Sequence, residues 1–261
     1  MNAATDPPLM SIILPALNEQ DNVQPMVEEI EEKVLSQGVS AEVIFVDDGS
    51  TDEMVPRLRE LMKTRPWLRL VRHQKRGGPT AEMLTGFRQA RGQYLGTLDA
   101  DRQNDPGDLV KMLQIIQSGE ADMVQGDRSA HRRDNWVRRM SSWVGRKTRA
   151  LLLRDTVRDT ACAARLMKRE RALQLPLHLR GMHRFVAAYL RMLGAKVAEM
   201  PVNHRPRVAG KAKFGIWNRA LPGLRDCFAV RWMKKRYCVP PIMDEPRADA
   251  AQPAIAPPDG E

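Results

Sequence analysis

Two short acidic segments carry the side chains best suited to chemistry, residues 46–52 (VDDGSTD) and residues 99–103 (DADRQ). Each follows an apolar run that predicts a buried strand. Because ligands of an open α/β sheet bind outside the carboxyl ends of its strands, both segments are expected to line one crevice. Asp99 and Asp101 are two positions apart, so in extended chain they point the same way. Their oxygens suit a divalent cation that also holds a diphosphate.

The first half of the chain alternates strand-like and helix-like segments, which must position these acids. The strand-like segments are residues 9–14, 41–46, 67–72, 94–98 and 121–125, and the helix-like segments are residues 21–35, 52–63, 80–90 and 106–116. Asp105 stands where it can cap the last of these helices. Alternation of this kind predicts an α/β fold with a doubly wound, mostly parallel central sheet and flanking helices.

The pattern changes after residue 126, where the chain becomes more basic. Helices are predicted at residues 128–154, 166–175 and 182–193, a late strand at residues 195–202 and a basic loop at residues 204–215. Between residues 217 and 232, apolar side chains recur every three or four positions with Arg and Lys interleaved. This spacing predicts an amphipathic basic helix able to lie in a lipid headgroup layer. A helix packed on the domain fits the same spacing equally well.

Composition indicates which kinds of binding partner and which cellular compartment to expect. With 43% hydrophobic residues in 261, the chain can bury a sizeable core. The net charge of +10 concentrates in residues 128–154, 204–213 and 231–236, which favours a polyanion: nucleic acid, anionic lipid or a phosphorylated substrate. Three scattered cysteines fit a reducing cytoplasm. No signal peptide or membrane-spanning apolar run is visible, so the chain is expected to be soluble or to lie on a membrane surface.

Six segments, taken in order, resemble a known family. They are residues 13–19 (ILPALNE), 46–52, 99–106 (DADRQNDP), 126–128 (GDR), 181–185 (GMHRF) and 201–207 (PVNHRPR). The chain resembles family 2 glycosyltransferases of the Rossmann-like GT-A fold, and among them dolichol-phosphate mannosyltransferases and their bacterial polyprenyl-phosphate relatives. We therefore expect a flexible N-terminus (residues 1–8), a catalytic domain (9–215) and a basic amphipathic helix (216–240). The Pro-, Ala- and acid-rich composition of the last segment predicts a disordered tail (241–261).

The resemblance also implies roles for matching residues. Those expected to bind the nucleotide are Pro15, Leu17, Glu19, Asp48, Asp99 and Ala100, with Asp48 on the base. Those expected to hold Mg²⁺ or Mn²⁺ are Asp99, Asp101 and Gln103. Those expected to bind the acceptor phosphate and the diphosphate are Arg128, Arg205, Arg207 and Lys213. Asp101, Arg128 and Arg205 would be the catalytic residues, and the loop 204–213 would be a lid.

The chain departs from the family at several positions. Arg102 replaces a usually apolar residue, and Ala212 stands where a serine commonly precedes the lid lysine. Residues 159–165 (DTACAAR) keep the terminal Asp and Arg of a family motif without its central glycine. These differences bear on the acceptor more than on the donor site.

The implied activity is an inverting transfer of a hexose, with mannose expected, from a GDP- or UDP-linked sugar to a polyprenyl phosphate. An ionised phosphate acceptor needs charge balance and placement rather than a general base, and arginine supplies both. The enzyme is expected at the cytoplasmic membrane face, attached through its basic helix or a membrane partner subunit.

Three other functions compete with this interpretation. A family 2 enzyme acting on a glycan or protein hydroxyl would need a carboxylate base, and acids are sparse after residue 121. A basic nucleic-acid-binding module would explain the charge, but no binding motif is present and aromatics make up only 5% of the chain, so no nucleic-acid partner is expected. A pseudoenzyme scaffold would tolerate Arg102 and Ala212.

Overall fold

A computed structural model describes residues 6–129, 136–206 and 217–238 of the chain. The strands are β1 (Met10–Ala16), β2 (Ala41–Asp47), β3 (Leu68–Arg72), β4 (Tyr94–Thr97), β5 (Met123–Asp127), β6 (Arg165–Lys168) and β7 (Val197–Pro201). The helices are α1 (Gln20–Lys33), α2 (Met54–Met62), α3 (Pro79–Gln89), α4 (Gly107–Gln117), α5 (Trp136–Leu153), α6 (Arg169–Ala172), α7 (Val186–Met192) and α8 (Trp217–Arg236).

The strands form one sheet in the order β3-β2-β1-β4-β6-β5-β7. β6 runs antiparallel to β4 and β5, and the other neighbouring strands are parallel. The mostly parallel sheet expected from the sequence is confirmed. From β1 the chain order runs outward in both directions, to β2 on one side and β4 on the other, so a topological switch point lies between β1 and β4. Ligands of such sheets bind at the switch point.

Both faces of the sheet are covered by helices. On β1, Ile12 and Leu14 join one apolar layer with α1, α2 and α4, while Ile13 joins the other with α3, α7 and the buried side of α8. All three side chains are fully buried. A strand buried on both faces reads as a continuous apolar run, which is why its sequence shows no alternation.

Two elements differ from the sequence prediction. The helix expected at residues 166–175 is wrong: the structure has strand β6, followed by the short helix α6. Leu166 and Met167 are both fully buried, on opposite sides of the sheet. These residues favour helix by intrinsic propensity, but antiparallel pairing with β4 and β5 decides their conformation. The helix expected at residues 182–193 is a single 3₁₀ turn followed by α7.

The C-terminal helix α8 packs against the domain on one side. Cys227 and Val230 are buried in the second apolar layer. The side chains of Arg231 and Lys234 donate hydrogen bonds to the carbonyls of Leu152 (3.3 Å) and Leu153 (3.1 Å), at the end of α5. Cations at the carboxyl end of a helix satisfy its unpaired carbonyls and oppose its dipole. The alternative of a helix packed on the domain is therefore confirmed for this side.

The other side of α8 is exposed. Leu224, Phe228 and Trp232 retain 41%, 56% and 61% of their accessible surface. Among the described residues, no helix combines the length and the apolar character needed to cross a bilayer. The tail expected at 241–261 lies outside the described residues.

Close packing of α3 on β1 makes a prediction for Gly86. A Cβ at this position would overlap Cγ2 of Ile13, whereas a Cβ at Gly145 in α5 would meet no atom within 4 Å. We expect Gly86→Ala to lower the free energy of unfolding by about 1–3 kcal/mol through overpacking. The control Gly145→Ala should leave it unchanged or raise it by up to about 1 kcal/mol. Urea denaturation of both variants measures the difference, and equal values would contradict the packing described.

Candidate active site

The two acidic segments lie at the same edge of the sheet, on either side of β1. The backbone N–H of Asp48 donates to Ala16 O (3.1 Å), and that of Leu98 donates to Ile13 O (3.2 Å). Because β1 separates β2 from β4, Asp48 and Asp99 follow strands that lie about 10 Å apart, two strand spacings. The two acidic segments therefore flank the switch point, where ligands of such sheets bind.

Asp48 orders the loop that precedes α3. Its side chain is buried and accepts hydrogen bonds from the backbone N–H groups of Gly77 (2.7 Å) and Gly78 (2.9 Å). Nδ1 of His73 lies 2.8 Å from the same carboxylate, and Nε2 of that ring lies 2.8 Å from Oγ1 of Thr85. Gly78 has a φ of +80°, a conformation that favours glycine. The carboxylate thus shapes the loop, and its contact with a base stays a prediction.

Asp47 anchors the turn beside it. The buried carboxylate accepts hydrogen bonds from the Ser50 backbone (2.8 Å) and from Nε of Arg72 (2.8 Å). Burial alone would raise the pKa of Asp47, yet the hydrogen bonds from Ser50 and Arg72 hold that pKa below its usual value. Asn18 joins this turn to the end of β1, since its N–H donates to Ser50 Oγ (2.9 Å) and its Oδ1 accepts from Thr51 (2.8 Å).

The remaining residues predicted to bind the nucleotide surround the same edge. Pro15 and Leu17 are half-buried at the end of β1, and Ala100 is buried after β4. Glu19 is buried at the start of α1, where its carboxylate accepts a hydrogen bond from Asn22 Nδ2 (2.7 Å). Their contacts with a nucleotide stay predictions.

The loop after β4 holds the expected metal ligands. Asp101 is only 5% exposed, and its Oδ1 accepts the backbone N–H of Gln103 (3.1 Å) across Arg102, whose φ is +61°. The side-chain NH₂ group of Gln103 donates a hydrogen bond to Arg205 O (3.3 Å). The side-chain oxygen of Gln103 therefore points away from Arg205 O. Together with Asp99, these groups supply the hard oxygens that Mg²⁺ or Mn²⁺ prefers. No group of three His, Cys, Asp or Glu residues forms a metal cage in the described part of the chain.

Two arginines, the half-buried Arg128 and the buried Arg165, lie near Asp99. Arg128 binds Asp159 through two hydrogen bonds, Nε–Oδ2 (2.7 Å) and Nη2–Oδ1 (3.1 Å). Burial alone would lower the pKa of Arg128, but pairing with Asp159 raises it above its usual value. Arg165 donates to the carbonyls of Cys162 (2.7 Å) and His183 (3.1 Å), and burial lowers its pKa. The charge of Asp99 favours the protonated form of both guanidinium groups.

Arg205 contacts the end of the loop that follows β4, residues 99–105, which we call the metal loop. Its guanidinium contacts Glu29 Oε1 (2.6 Å) and Asp105 Oδ2 (2.7 Å). Sequence reasoning missed Glu29, although its charge interrupts the buried positions Met26 and Ile30 of α1. The two other predicted phosphate ligands, Arg207 and Lys213, lie outside the described residues, as does most of the predicted lid.

Asp48 makes a prediction about nucleotide binding. Asparagine keeps the size of the side chain but places an NH₂ group against one of the two glycine N–H donors. We expect Asp48→Asn to lower the free energy of unfolding by about 1–3 kcal/mol. It should also weaken nucleoside diphosphate binding about tenfold or more, a change of about 1.4 kcal/mol. Denaturation and calorimetric titration measure the two effects.

The matched control is Asp122→Asn. Asp122 precedes β5 at the opposite edge of the sheet and binds Lys168 Nζ (2.8 Å) and the N–H of Lys196 (2.9 Å). We expect Asp122→Asn to lower the free energy of unfolding without weakening the binding of nucleoside diphosphates. Equal losses of affinity in the two variants would contradict a local role for Asp48.

Comparisons with known proteins agree with this geometry. Residues 11–175 match the model of glycosyl transferase family 2. The dodecaprenyl-phosphate galacturonate synthase of Rhizobium johnstonii is 31% identical over 229 residues, which cover 87% of this chain and 67% of that protein. The undecaprenyl-phosphate 4-deoxy-4-formamido-L-arabinose transferase of Edwardsiella ictaluri is 30% identical over 212 residues, which cover 79% of this chain and 63% of that protein. The chain thus spans about two thirds of each relative.

Solved structures share the fold at low sequence identity. A mannosyltransferase from Pyrobaculum calidifontis, in complex with GDP-Man and Mn²⁺, superposes with a TM-score of 0.57 at 18% identity, covering 88% of this chain and 76% of that one. Glucosyl-3-phosphoglycerate synthase from Mycobacterium tuberculosis, with Mg²⁺ and UDP, gives a TM-score of 0.63 at 18% identity, covering 87% and 79%. By its sequence and its sheet, the chain is a family 2 glycosyltransferase with the GT-A fold.

Proposed function

We propose that this enzyme is a metal-dependent, inverting glycosyltransferase that moves a hexose from a nucleotide diphosphate to the phosphate of a polyprenyl phosphate. The observation that carries the proposal is the pairing of acids around the cleft. Asp159 is bound bidentately by Arg128, and Arg205 binds both Glu29 and Asp105. Each of these carboxylates is occupied by a guanidinium group and so is not placed to take a proton from an acceptor hydroxyl. Such a site suits an acceptor that is already ionised.

The names of the two relatives support the same acceptor class, because both act on a polyprenyl phosphate, dodecaprenyl or undecaprenyl. Those names specify galacturonate and a formamido-arabinose as the sugars. Mannose, expected from the family resemblance, is therefore one donor among several to be compared.

The reaction needs no proton transfer. An oxygen of the acceptor phosphate attacks the anomeric carbon from the face opposite the diphosphate. The bond from that carbon to the diphosphate oxygen breaks, its electron pair leaves with the nucleoside diphosphate, and the configuration inverts. A divalent cation, when bound, would neutralise charge that develops on the diphosphate.

The residues of the chain place the two substrates. Asp99, Asp101 and Gln103 would hold the cation, while Asp48 keeps the loop of Gly77 and Gly78 at the amino end of α3. Arg128 has five N–H groups, of which Asp159 takes two through the side chain. The others are suited to bind phosphate oxygens, as charge-assisted contacts that arginine makes well.

A substitution of Asp101 tests the proposed metal ligand, and the lipid product that is measured tests the proposed acceptor. Asp101→Asn can keep the hydrogen bond from Gln103 but loses the carboxylate charge. We expect turnover to fall at least about a hundredfold, the loss typical when one electrostatic contact to a transition state is removed. Mass spectrometry of lipid products, with GDP-mannose and UDP-linked sugars offered in turn, measures it. Asp122→Asn serves as the control, and thermal melting shows whether the fold survives.

Wild-type enzyme provides two further arms. EDTA should abolish turnover and added Mn²⁺ or Mg²⁺ should restore it. Undecaprenyl phosphate should accept the sugar, and free glycans should not. Full activity in EDTA would refute the proposed metal dependence. Transfer to a glycan hydroxyl would contradict the proposed phosphate acceptor.

Helix α8 supports attachment to the cytoplasmic face of the membrane. Leu224, Phe228 and Trp232 are spaced four residues apart, so they form one exposed stripe. Exposed basic residues flank it, namely Arg225, Lys235 and Arg236. Apolar side chains with adjacent cations bind the interface of anionic bilayers. The cysteines Cys162, Cys227 and Cys238 are free thiols, which fits a reducing compartment.

Vesicle binding tests this stripe. We expect the double variant Phe228→Ser/Trp232→Ser to bind phosphatidylglycerol vesicles at least about tenfold more weakly, since each aromatic contributes about 1.5–3 kcal/mol when fully buried. The control is Leu173→Ser, which alters a residue 48% exposed at the end of α6. Co-sedimentation measures both. Unchanged binding of the double variant would assign attachment to another surface or to a partner subunit.

A further inference from the structure

A cluster of charged side chains ties the metal loop to helix α1. It joins Glu29 and Lys33 of α1, Arg102 and Asp105 of the loop, and Arg205 after β7. Glu29 Oε1 contacts both Arg205 (2.6 Å) and Lys33 (3.1 Å), and Asp105 Oδ2 contacts Arg205 (2.7 Å) and Lys33 (3.0 Å). Two carboxylates and two cations thus alternate between a helix, a loop and the segment after β7.

Glu29 is an unusual residue to find at the centre of this cluster. It is only 8% exposed and shares the inner face of α1 with the fully buried Met26 and Ile30. Burying a carboxylate costs more free energy than an apolar side chain of similar size. Its partners Lys33 and Arg205 are only partly buried, so Glu29 bears most of this cost, which raises the hypothesis that the carboxylate serves to hold the metal loop in place.

Arg205 contacts the metal loop through both its backbone and its side chain. Its backbone N–H donates to Gln103 O (2.9 Å), and its carbonyl accepts from Gln103 Nε2 (3.3 Å). Its guanidinium holds Asp105, two residues further along. The neighbouring His204 forms an isolated β-bridge with Asn104. The segment 203–205 therefore lies as a short extended partner along residues 103–105, and Glu29 ties that partner to α1.

Arg102 belongs to the same cluster. Its Nη2 lies 3.7 Å from Glu29 Oε2, a buried oxygen that accepts no hydrogen bond within the described residues. The backbone of Arg102 is in the left-handed region, at a φ of +61°. That conformation turns the chain so that Asp101 and Gln103 share a hydrogen bond. The guanidinium of Arg102 is thus directed toward the carboxylate of Glu29.

We propose that Glu29 and Arg205 form a strut that positions the metal loop, with Arg102 as its third member. This inference rests on the proposed function, because it assigns the loop its metal. It makes Arg205 a positioning residue, a role distinct from binding the acceptor phosphate. The two roles predict different results when Glu29 is neutralised. A phosphate-binding Arg205 would be released from a competing carboxylate, whereas a strut would lose its anchor.

Hydrogen exchange in the metal-free protein tests the strut without any assumption about catalysis. We compare Glu29→Gln and Arg205→Gln with Glu28→Gln, which alters an exposed neighbour on the same helix. Peptides covering residues 99–106 and 202–206 should exchange at least about tenfold faster in the first two variants and at the wild-type rate in the third. Unchanged exchange in Glu29→Gln, or equal acceleration in Glu28→Gln, would overturn the proposal.

A second measurement joins the strut to function. Binding of Mn²⁺ in the presence of UDP or GDP, followed by electron paramagnetic resonance, should weaken about tenfold in Glu29→Gln and in Arg205→Gln. The double variant should be no weaker than either single one, because coupled residues are not additive. The acceptor KM should stay within about twofold of wild type in Glu29→Gln. A lower acceptor KM in Glu29→Gln with normal Mn²⁺ binding would overturn the strut and assign Arg205 to phosphate.

Failure of the proposed function gives a different result. If wild-type protein binds no Mn²⁺ with either nucleotide, while exchange still accelerates in both strut variants, the metal assignment is wrong and the strut stands as a structural device.

Discussion

The site depends on the parallel pairing of β1 with β2 on one side and β4 on the other. Residues Met10 to Leu14 are fully buried, so this strand cannot shift its register by one residue without moving each side chain into the opposite, already packed layer. Its fixed position brings the ends of β2 and β4 to one edge of the sheet. The acidic segments need no contact with each other, because the strands in front of them hold their separation.

Fixed donors then shape the loops that leave these strands. Backbone N–H groups of Gly77 and Gly78 bind Asp48, and the N–H of Gln103 binds Asp101. In both places a carboxylate, before any ligand arrives, already directs a loop. Loops ordered in this way lose less conformational entropy when a substrate binds, which is the advantage of preorganisation.

The arginines around the cleft are ordered by carboxylates of their own. Arg128 is paired with Asp159, and Arg205 with Glu29 and Asp105. In each case a carboxylate that is largely buried restrains the orientation of a guanidinium group that is still partly exposed. The two arginines nevertheless have different surroundings. Arg128 lies near Asp99, whereas Arg205 lies against helix α1 through Glu29.

The sequence by itself determined the strand–helix alternation, the two acidic segments and the family, because these depend on local periodicity and on short motifs. Only the tertiary structure decided the conformation of residues 165–168, the partners of Arg128 and Arg205, and the side of α8 that faces the core. Leu166 and Met167 are strand because two neighbouring strands offer them hydrogen bonds, and Glu29 matters because Arg205, 176 positions later, folds back onto it. Contacts between residues so distant along the chain leave no trace in local pattern, so no reading of periodicity could have found them.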